Sequence, residues 1–365
     1  MKITRFLFPV LVLTFVSSIA LGQEDLRWID FPDPAFEVNG LYWFRENKPD
    51  LFRFPKRAEN LIPKAVWGLA KDPSGGRIRF KSDCTALGIR LEYPRLSDMR
   101  NMHAFGQSGV DLYVDGVYGQ TAVHQKETTV EHVYFQDAFP GKREYVLYLP
   151  IYNGVTVKSI GVNPDAVLEK PRPFALPKPV VFYGTSITQG GCASRSGMSY
   201  SAILCRKLNL DFLNLGFSGN GKGEKEVAEL VAEIDAACFV LDFMANNKTA
   251  VSVSEVYEPF LRILRAKHPD TPIIAITLTY VSGDNPLSDR GAELDAMRDV
   301  IRAVVAKKIT EGDKNLMLIE GHDLLGPECA DGLVDGTHPN DLGFQAMADH
   351  LAPTLAQVLN LPQPK

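Results

Sequence analysis

"VVFYGTSITQGG", residues 180–191, passes from four apolar residues, Val180 to Tyr183, straight into small and hydroxylated ones. A run that is apolar at every position suits a strand buried on both faces, as in a parallel sheet covered by helices. The small residues behind it predict a tight strand-to-helix turn. Ser186 stands on that turn, at the carboxyl edge where open α/β sheets gather their reacting groups. A serine hydroxyl alone is a poor nucleophile, so the rest of the chain must supply a base and a carboxylate to orient it.

Downstream the same rhythm repeats. Strands are expected at 180–186, 212–217, 238–244, 272–280 and 315–320, the runs "VVFYGTS", "FLNLGF", "CFVLDFM", "PIIAITLTY" and "NLMLIE". Helical patterns separate them. In "SVSEVYEPFLRILRAKH", Val256, Phe260 and Leu264 recur every four residues and share a face, and Ser252 or Ser254 could cap the helix. Strands alternating with amphipathic helices predict a three-layer αβα domain with a parallel sheet over residues 180–365.

Upstream, residues 23–170 read as a β-sandwich of jelly-roll type, short alternating runs punctuated by turn pairs. Asn153-Gly154 in "YVLYLPIYNGVTVKSIGV" and Asp115-Gly116 in "VDLYVDGVYGQ" are pairs that type I′ hairpins favour, and a further turn falls at Gly75. Trp28, Trp43 and Trp67 all lie in this half. They suit a sandwich core filled by aromatic rings, or else a platform for sugars. Four prolines within "LEKPRPFALPKP" make residues 171–179 a stiff connector.

The 365 residues are 45% hydrophobic, enough to bury a sizeable core in each of two domains. Lys2 and Arg5 precede an apolar run that ends in small residues at Ala20 and Gly22, the form of a secretory signal over residues 1–22. The run is too short to span a bilayer, which predicts cleavage, no membrane anchor and a secreted or periplasmic protein. Removing Lys2 and Arg5 leaves 37 basic against 44 acidic side chains, a balance that disfavours nucleic acid as a partner. Five scattered cysteines do not make a disulfide framework, and Cys238 in its apolar run reads as a small buried hydrophobe.

Of the seven histidines, His338 in "LVDGTHPNDLGF" has Asp335 three residues before it and Gly336 to allow the bend between them. The carboxylate can fold back on one ring nitrogen while the other faces Ser186. His322 beside Asp323 competes, but adjacent side chains usually diverge. His350 suits solvent, and His268 a helix terminus. Acyl transfer also needs donors for an oxyanion, and two stretches just past strand ends offer them: "GFSGNG" through the Gly219 N–H and "MANN" through the Asn246 amide. Arg195, nine residues beyond Ser186, could grip a uronate carboxylate or pair with a nearby acid. No His-Glu-x-x-His helix, clustered Cys/His set or phosphate loop is present, so neither a metal nor a cofactor is expected.

With these residues in order, residues 178–360 resemble the SGNH, or GDSL, hydrolases. "GTSITQG" is similar to the nucleophile block, "GFSGNG" to the glycine block, "FMANN" to the asparagine block and "DGTHP" to the Asp-x-x-His block. The resemblance implies Ser186 as nucleophile, His338 as base and Asp335 as its orienter. It implies an oxyanion hole of the Ser186 N–H, the Gly219 N–H and the Asn246 amide. Thr185 stands where the family name has Asp, and Met244 where the asparagine block often opens with Gly; neither position carries a triad group. The longer string "GTSITQGGCASRSGMSY" behind a β module looks like two-domain bacterial esterases acting on plant or algal polysaccharides. An acetylated carbohydrate substrate is the expectation that follows; the alternatives are an esterase of the same kind acting on lipid or methyl esters, or a non-catalytic glycan-binding protein.

Overall fold

The computed structural model describes residues 26–363. The secretory signal expected over residues 1–22 lies outside them.

Residues 26–169 form two antiparallel sheets. One runs Arg27–Asp30, Thr156–Val162, Leu87–Glu92, Thr129–Phe135. The other runs Leu168–Glu169, Arg77–Ser82, Arg143–Tyr148, Val110–Val114, Val117–Ala122, with Glu37–Asn39 also paired to Arg77–Ser82. Alternate residues, among them Ile78 and Phe80, Ile89 and Leu91, Tyr145 and Leu147, face inward and fill the core between the sheets. Asp115 and Gly116 take positive φ, 51° and 83°, and close the hairpin between Val110–Val114 and Val117–Ala122.

Asn153-Gly154 does not form the expected hairpin. The strands on either side of it belong to different sheets, and neither residue takes a positive φ. Its buried amide donates instead to Arg95 O and Ser108 Oγ, both at 2.9 Å. The connection Leu149–Val155 crosses between the sheets because Ile151 and Tyr152 are buried against the second module, a use that local turn preference does not register.

The tryptophans also depart from expectation. Trp43 and Trp67 are buried, but with Phe54 they pack against Val181, Tyr183 and Phe217 of the second module rather than between the two sheets. Trp28 is half-buried, with Arg90 above its ring at 3.9 Å.

The parallel sheet has the order Phe212–Gly216, Val180–Gly184, Cys238–Asp242, Ile273–Ile276, Leu316–Ile319. All five expected strands are present, and each ends before its expected limit. Val181 and Tyr183 face the helices Ala250–Lys267 and Gly291–Thr310 on one side. Val180 and Phe182 face Tyr200–Leu208 and Asp341–Val358 on the other. The cap of Ala250–Lys267 is Thr249, whose hydroxyl accepts the Ser252 N–H at 3.2 Å while Ser252 Oγ accepts the Thr249 N–H at 3.1 Å. Ser252 is therefore the partner of the cap, and the Ser254 hydroxyl bonds back to Val251 O. Strand order reverses about Val180–Gly184, which opens a crevice at its carboxyl end.

The modules are joined by a stack in which arginines and rings alternate. Arg195 lies 3.7 Å from the Tyr118 ring and 5.5 Å from Tyr113. Arg206 follows at 4.4 Å from Tyr113 and 5.7 Å from Tyr148, and Arg77 at 6.0 Å from Tyr148 and 4.0 Å from Phe212. Arg195, Arg206 and Phe212 come from the second module, the other members from the first. Each desolvated cation over a ring contributes about 0.5–2 kcal/mol. All five cysteines are free, and Cys238 is fully buried in its strand.

Candidate active site

Val180–Gly184 delivers the chain into a one-turn helix, Ser186–Gln189. Thr185 caps it: its Oγ1 accepts the Ile187 N–H at 3.2 Å, and Thr188 Oγ1 accepts the Thr185 N–H at 3.2 Å. Threonine thus does the capping that an aspartate could do at this position. The helix lies flush on its strands, which only glycine permits. A Cβ on Gly184 would fall 2.0 Å from Thr188 Oγ1, and one on Gly216 2.1 Å from the Gln189 nitrogen.

Ser186 Oγ lies 2.8 Å from His338 Nε2. The other ring nitrogen, Nδ1, lies 2.8 Å from Asp335 Oδ2 and 3.0 Å from Oδ1. The bend between them rests on Gly336 at φ +81°. Asp335 Oδ1 also accepts the backbone N–H groups of Thr337 at 3.2 Å and His338 at 2.9 Å. Burial acts to raise the Asp335 carboxyl, but the His338 N–H, the Asn101 amide and the imidazole outweigh it and hold it down at about 2. With the carboxylate accepting from Nδ1–H, Nε2 is left to accept the serine proton. Asn340 then caps the last helix by accepting the Leu342 and Gly343 N–H groups, which fixes the exit of the loop.

Phe217–Gly221 follows the adjacent strand. Gly219 has φ +67°, and its N–H meets no acceptor among the described residues. Ser186 opens its helix, so its N–H has no intrahelical partner either. Asn246 departs from expectation: its Nδ2 donates to Phe217 O and Gly221 O, both at 3.0 Å, so both amide hydrogens brace the loop that carries Gly219. Those carbonyls turn inward, and the amide satisfies them. Gln189 ties the parts together, accepting the Ser218 N–H at 3.0 Å and donating to Ile151 O of the first module at 3.0 Å.

The first module reaches the site in further places that the sequence did not disclose. Arg53 is fully buried and donates to Asn214 O and Gly216 O, at the end of the strand that leads to Gly219. Burial lowers its guanidinium to about 10. The Ser74 hydroxyl donates to Gln189 O at 2.7 Å. Asn101 Nδ2 donates to Asp335 Oδ2 at 2.9 Å. Single polar residues in loops carry no pattern that could announce such contacts.

Arg195 does not reach out for a ligand. Its Nη1 pairs with buried Asp111 at 3.2 Å and donates to the Tyr113 hydroxyl at 2.5 Å. The carboxylate was available because Asp111 is sealed in the interface, where an unpaired charge is costly. The Gly197 N–H donates to the same carboxylate at 2.8 Å. His322 lies 3.5 Å from Asp284, His350 is exposed on the last helix and His268 ends its helix; none joins Ser186.

A cleft of about 590 Å³ opens between Met99–His103 of the first module, Cys192–Ser194, and Val334 with Asn340–Leu342; its lining includes Asn101, the partner of Asp335, but not Ser186, His338 or Asp335 themselves. Among the described residues one group of three side chains could hold a metal ion, Cys192, Asp335 and His338, with ligand atoms within 4.8 Å of one another. Two of the three are already engaged with each other and with Ser186.

A hydroxyl, imidazole and carboxylate in one hydrogen-bonded chain at the carboxyl edge of a parallel sheet define a serine hydrolase. Residues 177–356 match the GDSL-like lipase/acylhydrolase family, and residues 26–168 match the N-terminus of SGNH-hydrolase-type esterases, known as GxDLY and spelled here by Gly109, Asp111, Leu112 and Tyr113. The chain belongs to the GDSL-like lipase/acylhydrolase family and is an esterase of that fold. It is 32% identical to a protein from Bacteroides ovatus ATCC 8483 described as a GDSL-like lipase, with TM-score 0.85 over 93% of this chain and 100% of that one. The salicylyl-acyltransferase SsfX3 of a tetracycline biosynthetic pathway shares the fold at 23% identity and TM-score 0.78, over 93% and 99% of the two chains. So does a family two carbohydrate esterase from Clostridium thermocellum, solved with cellohexaose, at 18% identity and TM-score 0.60, over 79% and 96%. No curated protein matches the chain.

Proposed function

We propose that this esterase is exported and removes O-acetyl groups from carbohydrate. Ser186 attacks the ester carbonyl while His338 Nε2 takes its proton, and Asp335 holds the imidazole and stabilises its charged form. The tetrahedral oxyanion sits on the N–H groups of Ser186 and Gly219. Asn246 holds the Gly219 loop in place, and can turn one hydrogen to the oxyanion by releasing a carbonyl. His338 returns the proton to the departing sugar oxygen. It then activates water, which releases acetate from Ser186 and regenerates the enzyme.

The observation that carries this reading is the unbroken chain from Ser186 Oγ through His338 to Asp335, beside a Gly219 N–H that meets no acceptor. Sugar as the substrate draws support from the neighbouring cleft, whose lining mixes Met99 and Leu342 with Arg100, His103 and Asn340. Such a wall offers both apolar faces and polar partners to a sugar ring. Carbohydrate esterases among the proteins of like fold point the same way.

The test is hydrolysis of a chromogenic acetate, followed by release of acetate from native plant and algal polysaccharides. Ser186→Ala and His338→Ala are each expected to lower turnover by about a thousandfold or more, and Asp335→Ala by less. Methanol in place of acetate, or a preference for long acyl chains, would assign the site to another ester.

A further inference from the structure

The two oxygens of the Asp335 carboxylate are held differently. Oδ1 accepts two N–H groups of its own loop, those of Thr337 and His338. Oδ2, the nearer partner of the imidazole at 2.8 Å, is held apart from His338 by one group, the amide of Asn101 at 2.9 Å. Asn101 comes from the other module, 234 residues away in sequence. The loop that presents it is itself anchored: Gln107 Oε1 accepts the N–H groups of Asp98 and Met99, and Gln107 Nε2 donates to Met102 O.

Rotation of the carboxylate about its Cβ–Cγ bond would leave the Oδ1 contacts weakened and swing Oδ2 away from Nδ1. Oδ2 needs an anchor against that rotation, and the Asp335 loop does not provide one. We infer that Asn101 is a positioning residue for the Ser186–His338–Asp335 chain, so that the first module completes the catalytic apparatus rather than only adjoining it. This rests on the esterase reading above. Asn101 touches no reacting atom; it acts through Asp335, by keeping the imidazole where Nε2 meets the serine proton.

The experiment is a double-mutant cycle on the full chain with a chromogenic acetate. Asn101→Ala is expected to lower kcat about tenfold while KM stays within about twofold, since a small misplacement of a catalytic group costs rate rather than binding. In an Asp335→Ala background the same change is expected to have no further effect on kcat, because its only route to the chemistry has been removed. Asn101→Gln, which keeps an amide donor, should recover part of the loss. Thermal unfolding of each variant separates positioning from folding. An unchanged kcat in Asn101→Ala overturns the inference, and so does an equal loss with and without Asp335. If Ser186→Ala keeps wild-type activity, the esterase reading fails instead, before Asn101 comes into question.

Discussion

Asp242 ends the strand Cys238–Asp242 beneath the Ser186 helix, fully buried, with its carboxylate 3.2 Å from Thr188 Oγ1 and 3.3 Å from the Tyr200 hydroxyl. Burial raises it from 3.8 to about 7, against the weaker pull of those two hydroxyls. Between these values the folded chain holds a proton that the unfolded chain has lost, so this residue makes stability fall as pH rises through the window. Asp242→Asn cannot ionise. Its melting temperature, followed by circular dichroism, should gain on the wild type as pH climbs from about 4 to about 7. Parallel curves for the two proteins would place the carboxyl at an ordinary value. Burial raises Asp111 too, but the Thr121 hydroxyl, the Gly197 N–H and the Arg195 cation pull against it and favour its charge. Arg195→Ala strands that charge and should cost about 3–5 kcal/mol in chemical denaturation, as the loss of one partner from a buried pair does. A cost under about 1 kcal/mol would mean that Asp111 is satisfied by Thr121 and Gly197 alone.

The one-turn helix Ser186–Gln189 is the element on which the site turns, and its seat on Gly184 and Gly216 is tight enough to test. Gly216→Ala drives a methyl into backbone that cannot swing aside, and should destabilise by about 1–3 kcal/mol while lowering kcat, because the helix must lift. Retention of full activity would show the seat to be looser than 2.1 Å implies. Elements of this kind were legible in the sequence for a plain reason: a strand buried on both faces has to be apolar throughout, and Asp335 reaches His338 across only three residues. What stayed hidden depended on distant partners. Asn153-Gly154 has the composition of a hairpin turn, yet the burial of Ile151 and Tyr152 against the other module decides its path. Arg195 lay at a plausible distance from Ser186, yet its use was settled by Asp111, 84 residues upstream. Asn246 was found at its strand end, while the direction of its amide depends on carbonyls whose orientation no sequence pattern records.

Taken whole, the molecule is two folds that share cores. Trp43, Phe54 and Trp67 lie in the same apolar cluster as Val181 and Phe217, and Ile151 and Tyr152 in that of Phe182 and Tyr200. Neither half could be removed without opening apolar surface on the other, so heating should melt both in one transition with equal calorimetric and van't Hoff enthalpies. Two resolved transitions would contradict this. Residues 180–363 expressed alone should be insoluble, because they would also lose Arg53 from the strand end beside Gly219. The stacked arginines and rings bear on recombination as well. A hybrid spliced near residue 170, with its front half from a relative, would set foreign rings against native guanidinium groups. Useful exchanges would have to carry Tyr113, Tyr118 and Tyr148 together with Arg195 and Arg206, so breeding new specificities from this scaffold means trading a whole zip and not one side of it.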